Sequence, residues 1–149
     1  MSRTKISYTD RNPEIPKKGI KMGFDLEGLK PSGEEPLKYP SNAHDNYESK
    51  VQRYYYWQEE TPGAYYHLGS YSWHFIWQPV CDLCSNDIPL EKLNAGWSNG
   101  CTEEFTKEEA LIIARKLMDS PPKEYAANTL IYYYKFIHFL ESCGGFTMS

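Results

Sequence analysis

The feature that most constrains this chain is a block of aromatic residues in its middle. Ten of its 23 Phe, Trp and Tyr residues fall between Tyr54 and Trp77. Each buried aromatic side chain removes roughly 150–250 Å² from water. A chain of 149 residues can therefore build its core from a few large side chains, even though only 40% of its residues are hydrophobic. We expect most of these rings to lie in the core of a single domain.

Short patterns in and around this block predict its secondary structure. Two β-prone runs, Tyr54–Trp57 and Ala64–Leu68, flank the turn dipeptide Pro62-Gly63, which predicts an aromatic hairpin. Apolar residues alternate with other residues from Ile20 to Leu26, which predicts a half-buried strand. Because proline is tolerated at the first position of a helix, we also predict a short helix from Pro79 to about Asn86.

Two longer helices are predicted in the C-terminal third. Thr106 followed by Glu109 has the form of a capping box, and apolar residues then repeat at helical spacing up to about Asp119. A second helix is predicted from about Lys123 to Ser142, just before a pair of glycines. The predicted fold class is α+β, with short strands and the aromatic hairpin packed on these two C-terminal α-helices.

The N-terminal quarter has a different composition. Half of the ten prolines precede Ser41, so we expect residues 1–40 to form a loop-rich, partly extended arm and residues 41–149 to form the globular part. The apolar runs are far shorter than the ~20 residues that span a membrane. No apolar block follows the charges near Met1, which argues against a secretory signal. We expect a soluble, cytoplasmic protein whose four cysteines are reduced and whose partners do not include a membrane.

Charge narrows the choice of partner. The net charge is −4, and from Thr61 to Ser149 six Lys and Arg face ten Asp and Glu. Exposed aromatic rings can stack nucleobases, but no Lys or Arg occurs from Tyr54 to Glu91, so this segment lacks the cationic track that a nucleic-acid backbone requires. Nucleic acid is therefore disfavoured as a partner. Rings left outside the core would instead contact a protein partner or a small ligand.

The cysteines raise the question of zinc. Cys81 and Cys84 have the two-residue gap of a zinc knuckle, Cys101 follows after sixteen residues, and Cys143 could act as a distant fourth ligand. The same gap also places two thiols on one helical face, where they would act as small buried hydrophobes. Zinc is thus the one cofactor that the sequence suggests, and both interpretations stay open.

Polar residues near the aromatic block supply the remaining candidates. Asp25 lies on an otherwise apolar strand, where it faces either solvent or a pocket that it shares with His74 and Asn99. No sequence motif marks a nucleophile or a phosphate-binding loop, so no catalytic residue is assigned. The candidate ligand- or partner-binding residues are Asp25, Tyr66, His67, Trp73, His74, Trp77 and Asn99.

Several short motifs occur in an order that resembles a family of small proteins from bacteria and their phages. They are Met22–Gly28 with Pro31, Trp73–Pro79, Asn99-Gly100, Glu109–Leu117 and Phe139–Phe146. Gln78 departs from the pattern, because the family often has arginine there. The resemblance implies an origin and an order of elements, and it implies no activity.

Three functional hypotheses follow. The leading one is a non-catalytic binding protein, a phage or mobile-element accessory or anti-defence factor that engages a host protein or a small ligand. The second is a small zinc-stabilised interaction domain. The third is a small-molecule or nucleotide-handling enzyme, which would require Asp25, His74 and Asn99 to converge on one pocket.

Overall fold

A computed structural model describes residues 23–43, 45–98 and 103–149 of the chain. These residues form both strands and helices. The strands are β1 (Gly23–Gly28), β2 (Tyr65–Gly69), β3 (Glu104–Phe105) and β4 (Phe146–Met148). The helices are α1 (Tyr47–Glu60), α2 (Ser70–Leu83), α3 (Leu90–Ala95), α4 (Lys107–Asp119) and α5 (Ala127–Ser142). This content confirms the predicted α+β class.

The four strands form one antiparallel sheet in the order β2-β1-β4-β3. Side chains alternate between its faces, as they must in extended backbone. On β1, Phe24 and Leu26 are buried, whereas the side chains of Asp25 and Glu27 lie on the opposite face. The predicted strand before Gly28 is therefore correct over its described residues, and it occupies an inner position of the sheet.

Helices α2 and α5 pack on the apolar face of the sheet and on each other, and α4 packs on both of these helices. The centre of this core is aromatic. Trp73 stacks on Trp77 with ring centroids 5.3 Å apart, and Phe136 meets Trp73 edge to face at 5.5 Å. These rings are fully buried, which agrees with the expectation that the aromatic block supplies much of the core.

The predicted aromatic hairpin is wrong, because Tyr54–Trp57 belongs to helix α1. Tyrosine favours strands, but the surrounding residues from Glu48 to Glu60 are mostly Glu, Gln, Lys and Arg, which favour helices. Tertiary packing does not decide the matter here, since no residue of α1 is buried. The second predicted run does form a strand, β2, but it pairs with β1.

Helix α2 begins nine residues before Pro79, so the predicted helix start at that proline is also wrong. Proline within a helix leaves the carbonyl four residues earlier without its usual donor. Here that carbonyl belongs to Phe75, and the hydroxyl of Tyr125 donates to it at 2.7 Å. A side chain from the segment before α5 therefore compensates for the proline.

The two C-terminal helices follow the sequence closely. Both bonds of the predicted capping box are present, with Thr106 Oγ1 accepting from the Glu109 N–H at 3.1 Å and Glu109 Oε1 accepting from the Thr106 N–H at 2.9 Å. Helix α5 begins at Ala127, four residues later than predicted. It ends before Gly144 and Gly145, whose φ angles of 68° and 97° turn the chain into β4.

Some predictions fall on residues that the structure does not describe. The first residues of the predicted strand, the larger part of the N-terminal arm, Asn99 and Cys101 all lie outside the described residues. Within the described ranges, no helix has the length and apolar character needed to cross a membrane.

Candidate functional site

An open groove of about 950 Å³ lies beside the edge strand β2. Three parts of the molecule form its walls: helix α1 with the turn that follows it, strands β1 and β2, and the exposed side of α5. Most of its polar lining consists of tyrosine hydroxyls and carboxylates. The residues that matter below are Asp25, Glu27, Tyr39, Tyr54, Tyr55, Gln58, Glu59, Tyr65, Tyr66, Lys135, His138 and Phe139.

Asp25 is the centre of a polar cluster on the sheet. It lies directly opposite His67 in the β1–β2 ladder. On its other side, its backbone N–H donates to Ser149 at 3.0 Å and its carbonyl accepts from Ser149 at 2.7 Å. Asp25 and His67 are therefore a pair without ladder hydrogen bonds between them, and the side chains of such pairs lie close together. Asp25 Oδ1 is 2.7 Å from His67 Nδ1, and Tyr65 donates its hydroxyl hydrogen to the same oxygen.

The protonation of two tyrosines follows from this setting. Burial raises the pKa of Tyr65 well above its usual value, and the hydrogen bond to the Asp25 carboxylate raises it further. Burial likewise raises the pKa of Tyr66, whose hydroxyl donates to the backbone carbonyl of Tyr132 at 2.9 Å. Both hydroxyls thus remain neutral donors at physiological pH.

A second tyrosine cluster forms the α1 side of the groove. The ring of Tyr39 meets those of Tyr54 and Tyr55 edge to face, at centroid distances of 5.2 and 6.1 Å. Gln58 donates to the Tyr54 hydroxyl at 3.1 Å, one helical turn away. Tyr39 and Tyr55 remain 50% and 51% exposed, so their ring faces are accessible to a ligand.

The groove is predominantly acidic. Asp25, Glu27 and Glu59 line it, against Lys135 as the one Lys or Arg among its described lining residues. The pKa of Tyr54 is raised by burial first and then by the nearby carboxylate of Glu27. Negative charge therefore reaches both the sheet side and the helix side of the groove.

The structure places the predicted binding residues at the groove, in the core and, for His74, at a separate cavity. Asp25 and Tyr66 line the groove, and His67 contacts Asp25. Trp73 and Trp77 lie in the core, with exposures of 1% and 0%, and not on a binding surface. Their positions on one buried face of α2 account for this, since they are four residues apart in a helix.

Among the described residues, Asp25 and His74 line different cavities, so the structure does not bring these two side chains together. His74 lies in α2 beside Trp97, with ring centroids 5.3 Å apart, and lines a separate cavity of about 320 Å³. Asn99 lies outside the described residues. The histidine that meets Asp25 is His67, which the sequence places among the candidates but does not pair with it. Only the register between β1 and β2 reveals that pair.

The cysteines do not assemble a metal site within the described ranges, where no group of three or more His, Cys, Asp or Glu side chains is arranged to bind a metal ion. Cys84 is fully buried at the end of α2, and Cys143 is fully buried just after α5. Burial raises the pKa of each of these two thiols to about 11, which keeps them protonated. Cys84 therefore agrees with the interpretation of Cys81 and Cys84 as small buried hydrophobes, whereas Cys81 is only partly buried. Cys101 lies outside the described residues, so its part in a zinc site stays a prediction.

Several groove residues escaped the sequence analysis, chiefly Glu27, Tyr39 and Tyr55. An accessible signal was the alternation along β1, which puts Glu27 on the same face as Asp25. Tyr55 was predicted to lie in a hairpin strand, so its position on a helix was not predicted.

Comparison with models of protein families, with curated proteins and with solved structures found no match in any of the three. The resemblance to bacterial and phage proteins therefore stays a prediction, and the geometry of the groove is what bears on function.

Proposed function

We propose that this chain is a binding protein and that its groove holds a basic segment of a partner protein. The observation that carries the proposal is the lining of the groove, where exposed tyrosine rings lie beside three carboxylates and a single lysine among the described residues. In a phage or mobile-element accessory factor, such a partner would be a host protein.

Tyrosine rings and carboxylates together favour Lys and Arg side chains. A cation over a tyrosine ring gains about 0.5–1 kcal/mol at an exposed site. A guanidinium group can also stack on a ring while it donates two hydrogen bonds to a carboxylate. Tyr55 and Glu59 on α1, with Glu27 on β1, offer these two kinds of contact in one groove.

The openness of the site favours a protein segment over an enclosed small ligand. The groove is bounded by separate elements, α1, β2 and α5, and Tyr39 and Tyr55 in its lining stay half exposed. Small-ligand pockets usually bury most of the ligand surface. An open groove of about 950 Å³ instead suits several consecutive residues of an extended chain.

The test compares two peptides of equal length, one alternating arginine with valine and one alternating glutamate with valine, by isothermal titration calorimetry on the full chain. We expect the basic peptide to bind and the acidic one to show no heat of binding. Affinity for the basic peptide should fall as salt is added, because exposed charge pairs are screened.

Variants of the groove sharpen this test. The double variant Glu27→Gln with Glu59→Gln should weaken binding roughly five- to tenfold, since each exposed charge pair contributes about 0.2–1 kcal/mol. Glu91→Gln is the matched control, because Glu91 is an exposed acid on α3 and does not line the groove. Equal binding of both peptides, or no effect of the double variant, would refute the proposal. Binding of free arginine as tight as that of the peptide would assign the groove to a small cation instead.

A further inference from the structure

We propose that the basic segment binds as a fifth, antiparallel strand along the open edge of β2. This inference rests on the proposed function and specifies how the partner is held. Its first support is the strand order β2-β1-β4-β3, in which β2 is an outer strand with one side paired.

The backbone groups on the other side of β2 follow from the register. Asp25 uses its N–H and carbonyl to bond Ser149, so it makes no ladder bonds to His67. The N–H and carbonyl of His67 must therefore point away from β1. The same alternation applies to Tyr65, which lies opposite Glu27, two residues along the strand. Four backbone groups thus face outward from β2.

These four groups have no hydrogen-bond partner among the described residues. Outer strands are commonly protected by a lysine, a proline or a bulge. The sequence of β2, Tyr-Tyr-His-Leu-Gly, contains neither lysine nor proline, and its pairing with β1 is regular over five residues. The edge is therefore able to accept another strand.

The groove runs past this edge. Asp25 and Glu27 lie on the polar face of the sheet, whereas Lys135, His138 and Phe139 belong to α5, which packs on the apolar face. A groove lined by residues from both sides of a sheet passes the boundary of that sheet, and Tyr65 and Tyr66 of β2 line this groove. The groove therefore reaches the outer side of β2 at Tyr65, one of the two residues whose backbone groups face outward.

The two sides of the edge define the chemistry of the added strand. In an antiparallel pair, residues that bond directly across from Tyr65 and His67 place their side chains on the same polar face. There they meet the carboxylates of Asp25 and Glu27, so these residues are Lys or Arg. The intervening residues point toward the α5 side of the edge, where Phe139 lines the groove, so they are apolar. The expected partner segment therefore alternates basic and apolar residues.

The experiment uses the alternating arginine–valine peptide in two N-methylated forms, measured by calorimetry on the full chain. Methylation of the arginine nitrogens removes the donors that face β2, and we expect binding to weaken by about tenfold or more, because at least two hydrogen bonds are lost. Methylation of an equal number of valine nitrogens, which face away from β2, should change affinity less than threefold, by roughly 0.6 kcal/mol or less.

Amide hydrogen exchange gives a second readout. On addition of the unmodified peptide, the amides of Tyr65 and His67 should exchange roughly tenfold or more slowly, as newly bonded amides do. The amides of Tyr66 and Leu68 already face β1 and serve as internal controls.

Several outcomes would overturn the strand proposal. Equal effects of the two methylation patterns with unchanged exchange at Tyr65 and His67 would overturn it while leaving the proposed function intact. A larger effect of valine methylation would overturn the proposed register, in which the arginines bond directly across from Tyr65 and His67. Absence of any binding by the unmodified peptide would overturn the proposed function itself. Slow exchange at Tyr65 and His67 in the free chain would show that another part of this chain or a second copy already occupies the edge, and native mass spectrometry would separate these two cases.

Discussion

Two groups of aromatic residues have similar side chains but different surroundings: one is buried beneath the sheet, and the other is exposed beside β2. In the buried group, the indole N–H of Trp73 donates to the Gly96 carbonyl at 2.8 Å, and that of Trp77 donates to the Leu93 carbonyl at 2.9 Å. Those carbonyls lie at the end of α3, where helical donors run out. In the exposed group, Tyr55 keeps 51% of its surface accessible. Burial of a ring depends on a partner for its polar atom, and exposed rings remain available for a ligand.

The helices that carry the two groups differ in the same way. Helix α2 buries four residues, whereas α1 buries none. Segments with few buried apolar contacts open at low free-energy cost. Stability should therefore depend on the α2 aromatics and be nearly independent of the α1 tyrosines.

The largest expected effect comes from truncating one ring in each group. Trp77→Ala should lower the free energy of unfolding by about 3–5 kcal/mol, because it removes a fully buried ring from the core. Tyr55→Ala should change it by about 0.5 kcal/mol or less, as expected for a surface position. Equilibrium urea unfolding measures both values. Equal losses would remove the distinction between the two groups.

The sequence predicted the elements that local signals define. The capping box of Thr106 and Glu109 marked the start of α4 within one residue, and two glycines marked the end of α5. The start of α2 was missed, because Pro79 normally ends or begins a helix. The helix tolerates this proline because Tyr125 donates to the Phe75 carbonyl. Tyr125 lies 50 residues from Phe75 along the chain, and no local sequence pattern reveals such a partner.

The candidate site was predicted only in part, for a similar reason. Asp25, Tyr66 and His67 were among the candidates, but Asp25 was expected to face either solvent or a pocket shared with His74 and Asn99, and its contact with His67 was not predicted. Strand pairing is a non-local contact, and a shift of one residue would place a different side chain opposite Asp25. The tyrosines of α1 were missed because their strand propensity outweighed the helical preference of their neighbours in the prediction.

Alkaline pH should act on the buried region. The pKa values of Cys84 and Cys143 are raised by burial from 9.0 to about 11. In the unfolded chain these thiols ionise from about pH 9, while in the folded chain they stay protonated. Their contribution to stability is thus complete below pH 9 and is lost as the pH rises toward 11.

Unfolding measured at intervals from pH 9 to pH 11 should show this loss, about 2 kcal/mol for each thiol and about 4 kcal/mol in total. The double variant Cys84→Ala with Cys143→Ala should show a shallower decline than the parent chain, while both chains retain the contribution of the buried tyrosines. An identical decline in the two chains would contradict the assignment to the thiols.

A smaller effect concerns the polar atom of a single tyrosine. Tyr125→Phe should lower the free energy of unfolding by about 1 kcal/mol, because the Phe75 carbonyl loses its donor. In a Pro79→Ala background the loss should be smaller, since alanine at that position would restore the helical N–H. Tyr71→Phe is the matched control, because Tyr71 is 80% exposed. A full loss in both backgrounds would show that Tyr125 does not compensate for the proline.

The central claim is that the exposed tyrosines bind a partner and the buried aromatics hold the fold. The most direct measurement is the affinity of Tyr55→Ala for the alternating arginine–valine peptide, together with its free energy of unfolding. We predict an affinity about two- to fivefold weaker, consistent with the loss of one exposed cation–ring contact of about 0.5–1 kcal/mol. The free energy of unfolding should stay within about 0.5 kcal/mol of the parent value. An unchanged affinity, or a loss of stability comparable to that of Trp77→Ala, would contradict the claim.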